Sequence, residues 1–239
     1  MKNVTGYDLS KLLAGSWGTL AVLDEVSVKV LPAPDQTRTL VLHGLSDEAA
    51  VKAMCAAMGS PHDVSGAAHI EDRTALRLEG VAPSVEARLK GLRDLLTSAG
   101  ATMEEFGTLE SRTFWRDVRD VTPLSGTRDT VVWKISCPPT EGPGIVARIK
   151  AQRPLAEAFY DWSGGLVWLA IPPSDDADHS LVRAALGPAG GHATLVRANE
   201  KARSSVPVFQ PQPTALAALA SRVKESFDPK GLFNPGRMG

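Results

Sequence analysis

The segment Thr37–Gly59, "TRTLVLHGLSDEAAVKAMCAAMG", shows the pattern that decides the fold of this 239-residue chain. Its first nine residues, rich in leucine and β-branched side chains, predict a strand. Ser46 then suits the N-cap of a helix, and the two acidic residues after it suit a first helical turn. Four apolar residues follow at helical spacing before Gly59 closes the element: Val51, Met54, Cys55 and Met58. The segment therefore predicts a strand followed by an amphipathic helix.

The elements that follow complete a unit that ends near residue 106. Two adjacent strands are predicted in "VSGAAHIED" (64–72) and "ALRLEG" (75–80). A second amphipathic helix begins at Pro83 and ends before Gly100, and a short strand follows in "ATMEEF" (101–106). The predicted element order of this unit is βαββαβ.

The same order recurs in the second half of the chain. It comprises a strand, a helix capped by Thr140, two strands, a helix and a last strand, at 130–136, 140–149, 156–162, 166–171, 177–186 and 193–198. An extra helix is predicted between the two units, at 108–121. The fold class predicted is α+β, with two tandem ferredoxin-like βαββαβ units that form an antiparallel sheet carrying helices on one face.

Composition limits the classes of partner. The chain is 43% hydrophobic and 22% charged with a formal net charge of -1, so we expect no nucleic-acid binding. Its longest apolar run, "LVWLAI" (166–171), is far shorter than the roughly 20 residues of a transmembrane helix. No export signal is evident, and Cys55 and Cys137 lack the spacing of a disulfide or metal framework. We therefore expect a cytoplasmic protein with reduced thiols.

The opening of the chain, "KNVTGYDLSKLLAGSWGTLAVLDEVSVKVLP" (2–32), is punctuated by glycines. Asp8 predicts the cap of a short helix, and the alternation that follows Thr19 predicts a strand. Between them, Gly15 and Gly18 form a loop whose amides a ligand could approach directly. The spacing alone favours an ordinary helix–loop–strand connection, because short glycine patterns are weak evidence for a ligand site.

The closing segment, "FDPKGLFNPGRM" (227–238), contains two proline turns and predicts an ordered terminus. The side-chain amide of Asn234 offers both a donor and an acceptor at a fixed position. Asn234 could therefore contact a ligand, or it could cap the turn that docks the last helix.

The opening and closing segments, together with "GGHATLVRA" (190–198), resemble the family of flavin-linked 2-hydroxyacid oxidases that includes vanillyl-alcohol oxidase. The resemblance implies an FAD-binding remnant at 1–34, a cap or substrate domain at 35–204 and a segment returning to the FAD domain at 205–239. The residues that it implies face the FAD are Tyr7, Gly15, Ser16, Gly18, Thr19, Val22 and Asn234.

Members of this family carry the N-terminal half of the FAD domain before the segment that matches here, and the resemblance implies that this half lies outside these 239 residues. That half could be encoded upstream or supplied by another chain. The function implied is oxidation of glycolate to glyoxylate in a complex with a catalytic flavin subunit and an iron-sulfur subunit, peripheral to the inner membrane through those partners. The alternative is a non-catalytic cap or interaction module.

Lys134 is the first candidate for the substrate site. Alternation in "TVVWKIS" (130–136) places Val131, Trp133 and Ile135 on one face and Lys134 on the other. The resemblance matches Lys134 to a lysine that binds a substrate carboxylate together with an upstream arginine, here Arg119. A guanidinium and an ammonium suit that role, although a solvated lysine beside a sheet is the common alternative.

His192 is the third candidate. It could act as the base that removes the hydroxyl proton of a 2-hydroxyacid, but its place after two glycines favours a turn histidine. Relatives with a metal-assisted site carry paired histidines around a Gly-Asp-Gly run, and nothing similar occurs in this sequence. The other histidines lack ligand spacing, so we predict no metal site.

Overall fold

The structure is a computed structural model that describes residues 8–127 and 129–238. The described chain divides into two compact units. The first, here called the end unit, combines the described parts of Met1–Leu31 and Pro207–Gly239, and the second, the sheet unit, is Pro32–Val206. The assignment of these segments to FAD-binding and cap domains stays a prediction.

The strands of the sheet unit are β1 (Gln36–His43), β2 (Gly66–Ile70), β3 (Arg73–Gly80), β4 (Thr102–Phe106), β5 (Val131–Ser136), β6 (Glu157–Asp161), β7 (Leu166–Ile171) and β8 (His192–Arg197). The described helices are α1 (Leu9–Leu13), α2 (Asp47–Met58), α3 (Ala82–Leu96), α4 (Thr108–Arg119), α5 (Gly142–Lys150), α6 (His179–Ala184), α7 (Glu200–Ser205) and α8 (Thr214–Phe227). Within the described ranges, no helix has the length and apolar character needed to cross a bilayer.

The strands form one antiparallel sheet in the order β4-β1-β3-β2-β6-β7-β5-β8. The order βαββαβ occurs in the first half as β1-α2-β2-β3-α3-β4 and again in the second half as β5-α5-β6-β7-α6-β8. The halves meet where β2 pairs with β6, at His69 and Tyr160. The predicted α+β class with an antiparallel sheet is therefore confirmed, and the name ferredoxin-like for each half stays an interpretation.

Local sequence explains the first repeat better than the second. The Ser46 hydroxyl accepts a hydrogen bond from the Ala49 amide at 3.3 Å, as expected for the N-cap of α2. The predicted Thr140 cap is wrong. Thr140 lies inside a 3-10 turn at Pro139–Glu141, because two successive prolines fix the backbone just before it and α5 begins only at Gly142.

The two faces of the sheet are covered differently. The helices of both repeats pack on one face, around a core that includes Leu40, Met54, Leu76, Leu92, Trp133 and Ile149. Helix α4, the extra helix predicted between the repeats, packs on the opposite face through Phe114, Trp115 and Val118. It contacts β1, and a smaller apolar cluster joins that face of the sheet to the helix.

The end unit contains α1, α8 and the segments next to them. The strand predicted after Thr19 is wrong, because residues 19–34 pair with no strand of the described chain. The alternation is present in the sequence, yet Val26, Val28 and Val30 remain 66%, 77% and 76% exposed. A strand needs a neighbour for its backbone hydrogen bonds, and sequence alternation alone supplies none.

Two further differences concern helix ends. Asp8 precedes α1 as predicted, but its side chain makes no capping bond and instead forms an ion pair with Lys11 at 2.8 Å. Helix α7, which the sequence reasoning missed, is capped by Asn199, whose side-chain oxygen accepts from the Ala202 amide at 2.8 Å. Its six residues are too few for a periodic apolar pattern.

Candidate functional site

A cavity of about 400 Å³ lies in the end unit, and residues from both ends of the chain line it. The structure brings four of the predicted cofactor-binding residues together there: Ser16, Gly18, Val22 and Asn234. The remaining walls are apolar and are formed by Leu13, Ala21, Leu23, Leu232 and Phe233. The cavity therefore combines an apolar lining with one hydroxyl and one amide.

The ends of the chain contact each other at Asn234. Its side-chain nitrogen donates a hydrogen bond to the backbone oxygen of Trp17 at 2.7 Å. The same nitrogen lies 2.8 Å from the position that a Cβ on Gly18 would take, and Gly18 has a φ of +69°. Both the left-handed backbone and the close approach favour glycine at this position. Gly18 is thus the place where the two end motifs fit together.

Lys224 of α8 makes a second connection between the ends. Its ammonium donates to the backbone oxygens of Thr19 at 2.6 Å and Phe233 at 3.0 Å, and it forms an ion pair with Asp228. Asp228 is 6% exposed and accepts from the amides of Leu232 at 2.9 Å and Phe233 at 2.8 Å. Lys224 and these two amides lower the pKa of Asp228 to about 2.

Sequence reasoning missed this pair of charges. The only local signal is the spacing of Lys224 and Asp228 at i and i+4, which ordinarily indicates a surface ion pair on a helix. The contact with Thr19, 205 residues earlier in the chain, gives the pair its structural role. A contact between such distant residues leaves no local pattern in the sequence.

The other three predicted cofactor residues are not among the described residues that line the cavity. Thr19 is buried, and its hydroxyl donates to the backbone oxygen of Ser16 at 2.7 Å, so it supports the loop instead of lining the cavity. Gly15 has a φ of +84° and no atom near its Cβ position, and it is not part of the cavity wall. Tyr7 lies outside the described residues.

Lys134 lies on β5 on the face opposite the main core, as its alternation predicts, because Val131, Trp133 and Ile135 all enter that core. Its ammonium is 5.8 Å from the ring centroids of both Trp162 and Trp168. Two indoles at this distance favour a localised cation. The lysine ammonium therefore lies close to two aromatic rings on that face of the sheet.

Arg119, at the end of α4, is bound in a bidentate pair to Asp120, with nitrogen–oxygen distances of 2.7 and 3.1 Å. This hydrogen-bonded pair raises the pKa of the Arg119 guanidinium and lowers the pKa of Asp120. Arg119 lines a second cavity, of about 860 Å³ in the sheet unit, whose lining does not include Lys134. Trp162 links the two places, since it lines that cavity and also lies against Lys134.

His192 begins β8 and is exposed. It pairs with Ser136 in the β5–β8 ladder, where Lys134 pairs with Thr194. Because residues two apart on a strand share a face, His192 and Lys134 lie on the same side of the sheet, two register positions apart along the ladder. The structure thus places two of the three predicted catalytic residues on one surface.

No protein-family model matches the chain. Individual proteins of known sequence match it over nearly its whole length. Glycolate oxidase subunit GlcE of Escherichia coli (strain K12) is 33% identical over 238 residues, which are 100% of this chain and 59% of that protein. Glycolate oxidase subunit GlcD of the same strain is 25% identical over 270 residues, covering 97% of this chain and 54% of that protein. The chain therefore spans little more than half the length of these relatives.

Solved structures with a similar fold include alkyldihydroxyacetonephosphate synthase in two crystal forms. The P1 form gives a TM-score of 0.62 at 15% identity and covers 98% of this chain and 50% of that one. The P212121 form gives a TM-score of 0.55 at 14% identity, covering 99% and 51%. As the resemblance of the end motifs predicts, the chain is similar over nearly its whole length to glycolate oxidase subunits. The solved structures show that it shares their fold.

Proposed function

We propose that this polypeptide forms part of a subunit of an FAD-linked oxidase that converts glycolate, or another small 2-hydroxyacid, to the corresponding 2-oxoacid. The observation that carries the proposal is the meeting of the two end motifs on one cavity, where the Asn234 amide donates to Trp17 at 2.7 Å. The names of the relatives that match the chain support the same activity.

The end-unit cavity is suited to part of an FAD molecule. A volume of about 400 Å³ lies near the lower end of the roughly 300–1,000 Å³ of small-ligand sites, so it suits one portion of a dinucleotide. Val22 and Phe233 offer apolar walls, and Ser16 and Asn234 offer polar groups for orientation. In this proposal these residues hold the FAD, which when bound supplies the acceptor for the hydride of the 2-hydroxyacid.

On the sheet unit, we assign Lys134 to the carboxylate of the substrate. The two indoles within 5.8 Å of its ammonium favour a cation on a surface that also carries His192. His192 is assigned as the base that takes the hydroxyl proton. Arg119 can also bind the substrate carboxylate, but it must first release its bidentate hydrogen bonds to Asp120.

The partners proposed are a catalytic flavin subunit and an iron-sulfur subunit, in a complex on the cytoplasmic side of the inner membrane. The second candidate function is a non-catalytic cap or interaction module of such an oxidase. The exposed valines of the end unit favour it, because Val22, Val26, Val28 and Val30 present apolar surface that a partner could cover. The two functions differ in whether the chain binds flavin by itself.

Flavin titration of the 239-residue chain tests the proposal. We expect added FAD to bind, with quenching of flavin fluorescence, and we expect Gly18→Ala to weaken binding by about tenfold or more because the new methyl group displaces Asn234. Gly231→Ala is the matched control, since Gly231 also has a positive φ (+63°) but no atom near its Cβ position. Absence of binding by the unmodified chain would favour the cap module, and equal loss in both variants would indicate backbone strain alone.

A further inference from the structure

The larger cavity, of about 860 Å³, lies within the sheet unit, beside α4 and the ends of β2 and β3. Its floor includes Gly66, where a Cβ would approach the Trp115 ring to 3.1 Å. Met58, Pro34 and the indole of Trp162, which is 61% exposed, form apolar parts of the wall and rim. Its volume is within the range of pockets that take small organic ligands.

Helix α4 turns a row of arginines toward this cavity. Arg112, Arg116 and Arg119 all line it, and their spacing of four and three residues places them on one side of the helix. Like charges at this spacing destabilise a helix in the absence of an anion. A bound negative charge would therefore stabilise a row of this kind on the wall of a cavity.

The described residues compensate only part of this charge. Arg77, which also lines the cavity, pairs with Glu79 at 3.2 Å and lies over the Trp115 ring, and Arg119 is bound to Asp120. Arg112 and Arg116 make no hydrogen bond or ion pair with any residue in the described ranges. Arg116 acts on the Asp120 carboxylate only at longer range, where it helps to lower the pKa of that group.

The remaining lining carboxylate does not fill this role. Asp161 accepts a hydrogen bond from its neighbour's amide, that of Trp162, at 2.7 Å. Burial raises the pKa of Asp161, so its surroundings disfavour the ionised carboxylate that could balance the arginines. Two guanidinium groups one helical turn apart are therefore left facing an open cavity with aromatic and apolar walls.

We propose that this cavity binds a small organic dianion, a phosphate monoester or a dicarboxylate, through Arg112 and Arg116. Guanidinium groups bind both kinds of oxyanion in bidentate geometry, and the indole of Trp162 covers the organic part of the ligand. The site is distinct from the end-unit cavity and uses neither Lys134 nor His192, although Arg119, assigned above to the substrate, lines the same cavity. It does not depend on the flavin chemistry proposed above.

Calorimetric titration of the full chain with three aromatic probes tests this site. Phenyl phosphate and isophthalate each carry two charges, whereas benzoate has a similar ring and one charge. We expect at least one dianion to bind about tenfold or more tightly than benzoate, and its binding to weaken with added salt. Tighter binding of phenyl phosphate would indicate a phosphate monoester as the ligand, and tighter binding of isophthalate would indicate a dicarboxylate.

Paired variants separate the site from general charge effects. We expect Arg112→Gln with Arg116→Gln to lose dianion binding by about tenfold or more. The control, Arg203→Gln with Arg222→Gln, removes two exposed arginines outside the cavity and should bind as the unmodified chain does. The proposal is overturned if neither dianion binds, if benzoate binds equally well, or if both double variants lose binding to the same extent. Far-ultraviolet circular dichroism confirms that all variants remain folded.

Discussion

The two units of this chain are stabilised in different ways. The sheet unit buries two apolar clusters, one on each face of its sheet. In the described part of the end unit the buried residues are Ser16, Thr19, Leu20 and Asp228, of which only one is apolar. Hydrogen bonds from Lys224 and Asn234 connect its two segments instead. The comparison indicates that the candidate flavin cavity depends on polar contacts that are easier to open than an apolar core.

The largest effect is expected from the core of the sheet unit. Trp133 is fully buried, and its indole nitrogen donates to the Ala177 oxygen at 3.0 Å. Truncation of a buried aromatic residue costs about 3–5 kcal/mol, so Trp133→Ala should lower the free energy of unfolding of this unit by that amount. Urea denaturation followed by circular dichroism measures the change.

Trp162→Ala is the matched control for that measurement. Trp162 belongs to the same sheet unit but is 61% exposed, and we expect its truncation to change the free energy of unfolding by less than about 1 kcal/mol. Equal losses for the two tryptophans would contradict the view that the buried apolar cluster dominates the stability of this unit.

The next effect tests the polar connection in the end unit. Lys224→Met removes the three hydrogen bonds that join Thr19, Asp228 and Phe233, so the cavity wall should open more often. We expect amide exchange in residues 16–21 to accelerate by about tenfold or more, while exchange in the sheet unit stays unchanged. Hydrogen–deuterium exchange with mass spectrometry measures both units in one experiment.

Lys230→Met provides the control for that variant. Lys230 is exposed in the same closing segment, so its loss removes the same charge without the contacts of Lys224. Unchanged exchange in Lys224→Met, or equal acceleration in both variants, would show that Lys224 does not hold the two ends together.

A smaller effect concerns pH. The pKa of Asp228 is lowered from its ordinary 3.8 to about 2, so the ionised form stabilises the folded end unit above pH 4. That stabilisation is lost as pH falls from about 4 through about 2, because the carboxyl must then be protonated. The amide resonances of Leu232 and Phe233, which donate to Asp228, should report a midpoint near 2. A midpoint near the ordinary value, or the same titration in Asp228→Asn, would contradict this assignment.

The sequence predicts the features that depend on neighbouring residues. Ser46 as a cap and the face of Lys134 follow from local spacing, and both agree with the structure. The contact of Asn234 with Trp17 joins positions 217 residues apart, so only the resemblance of the end motifs suggested it. The arginines on α4 have helical spacing in the sequence. The cavity that they face also needs residues from other elements of the sheet unit, so the sequence pattern does not predict it.

The smallest effect separates two caps that looked equivalent in the sequence. The Ser46 hydroxyl accepts from the Ala49 amide, and Ser46→Ala should lower the free energy of unfolding of the sheet unit by about 1 kcal/mol. Thr140 makes no such bond at α5, and Thr140→Ala should change stability by no more than about 0.5 kcal/mol. Urea denaturation of both variants compares them directly. Because the apolar core dominates this unit, both values should remain below the cost of Trp133→Ala; a Ser46→Ala loss equal to that cost would mean that polar contacts limit the stability of the sheet unit as well.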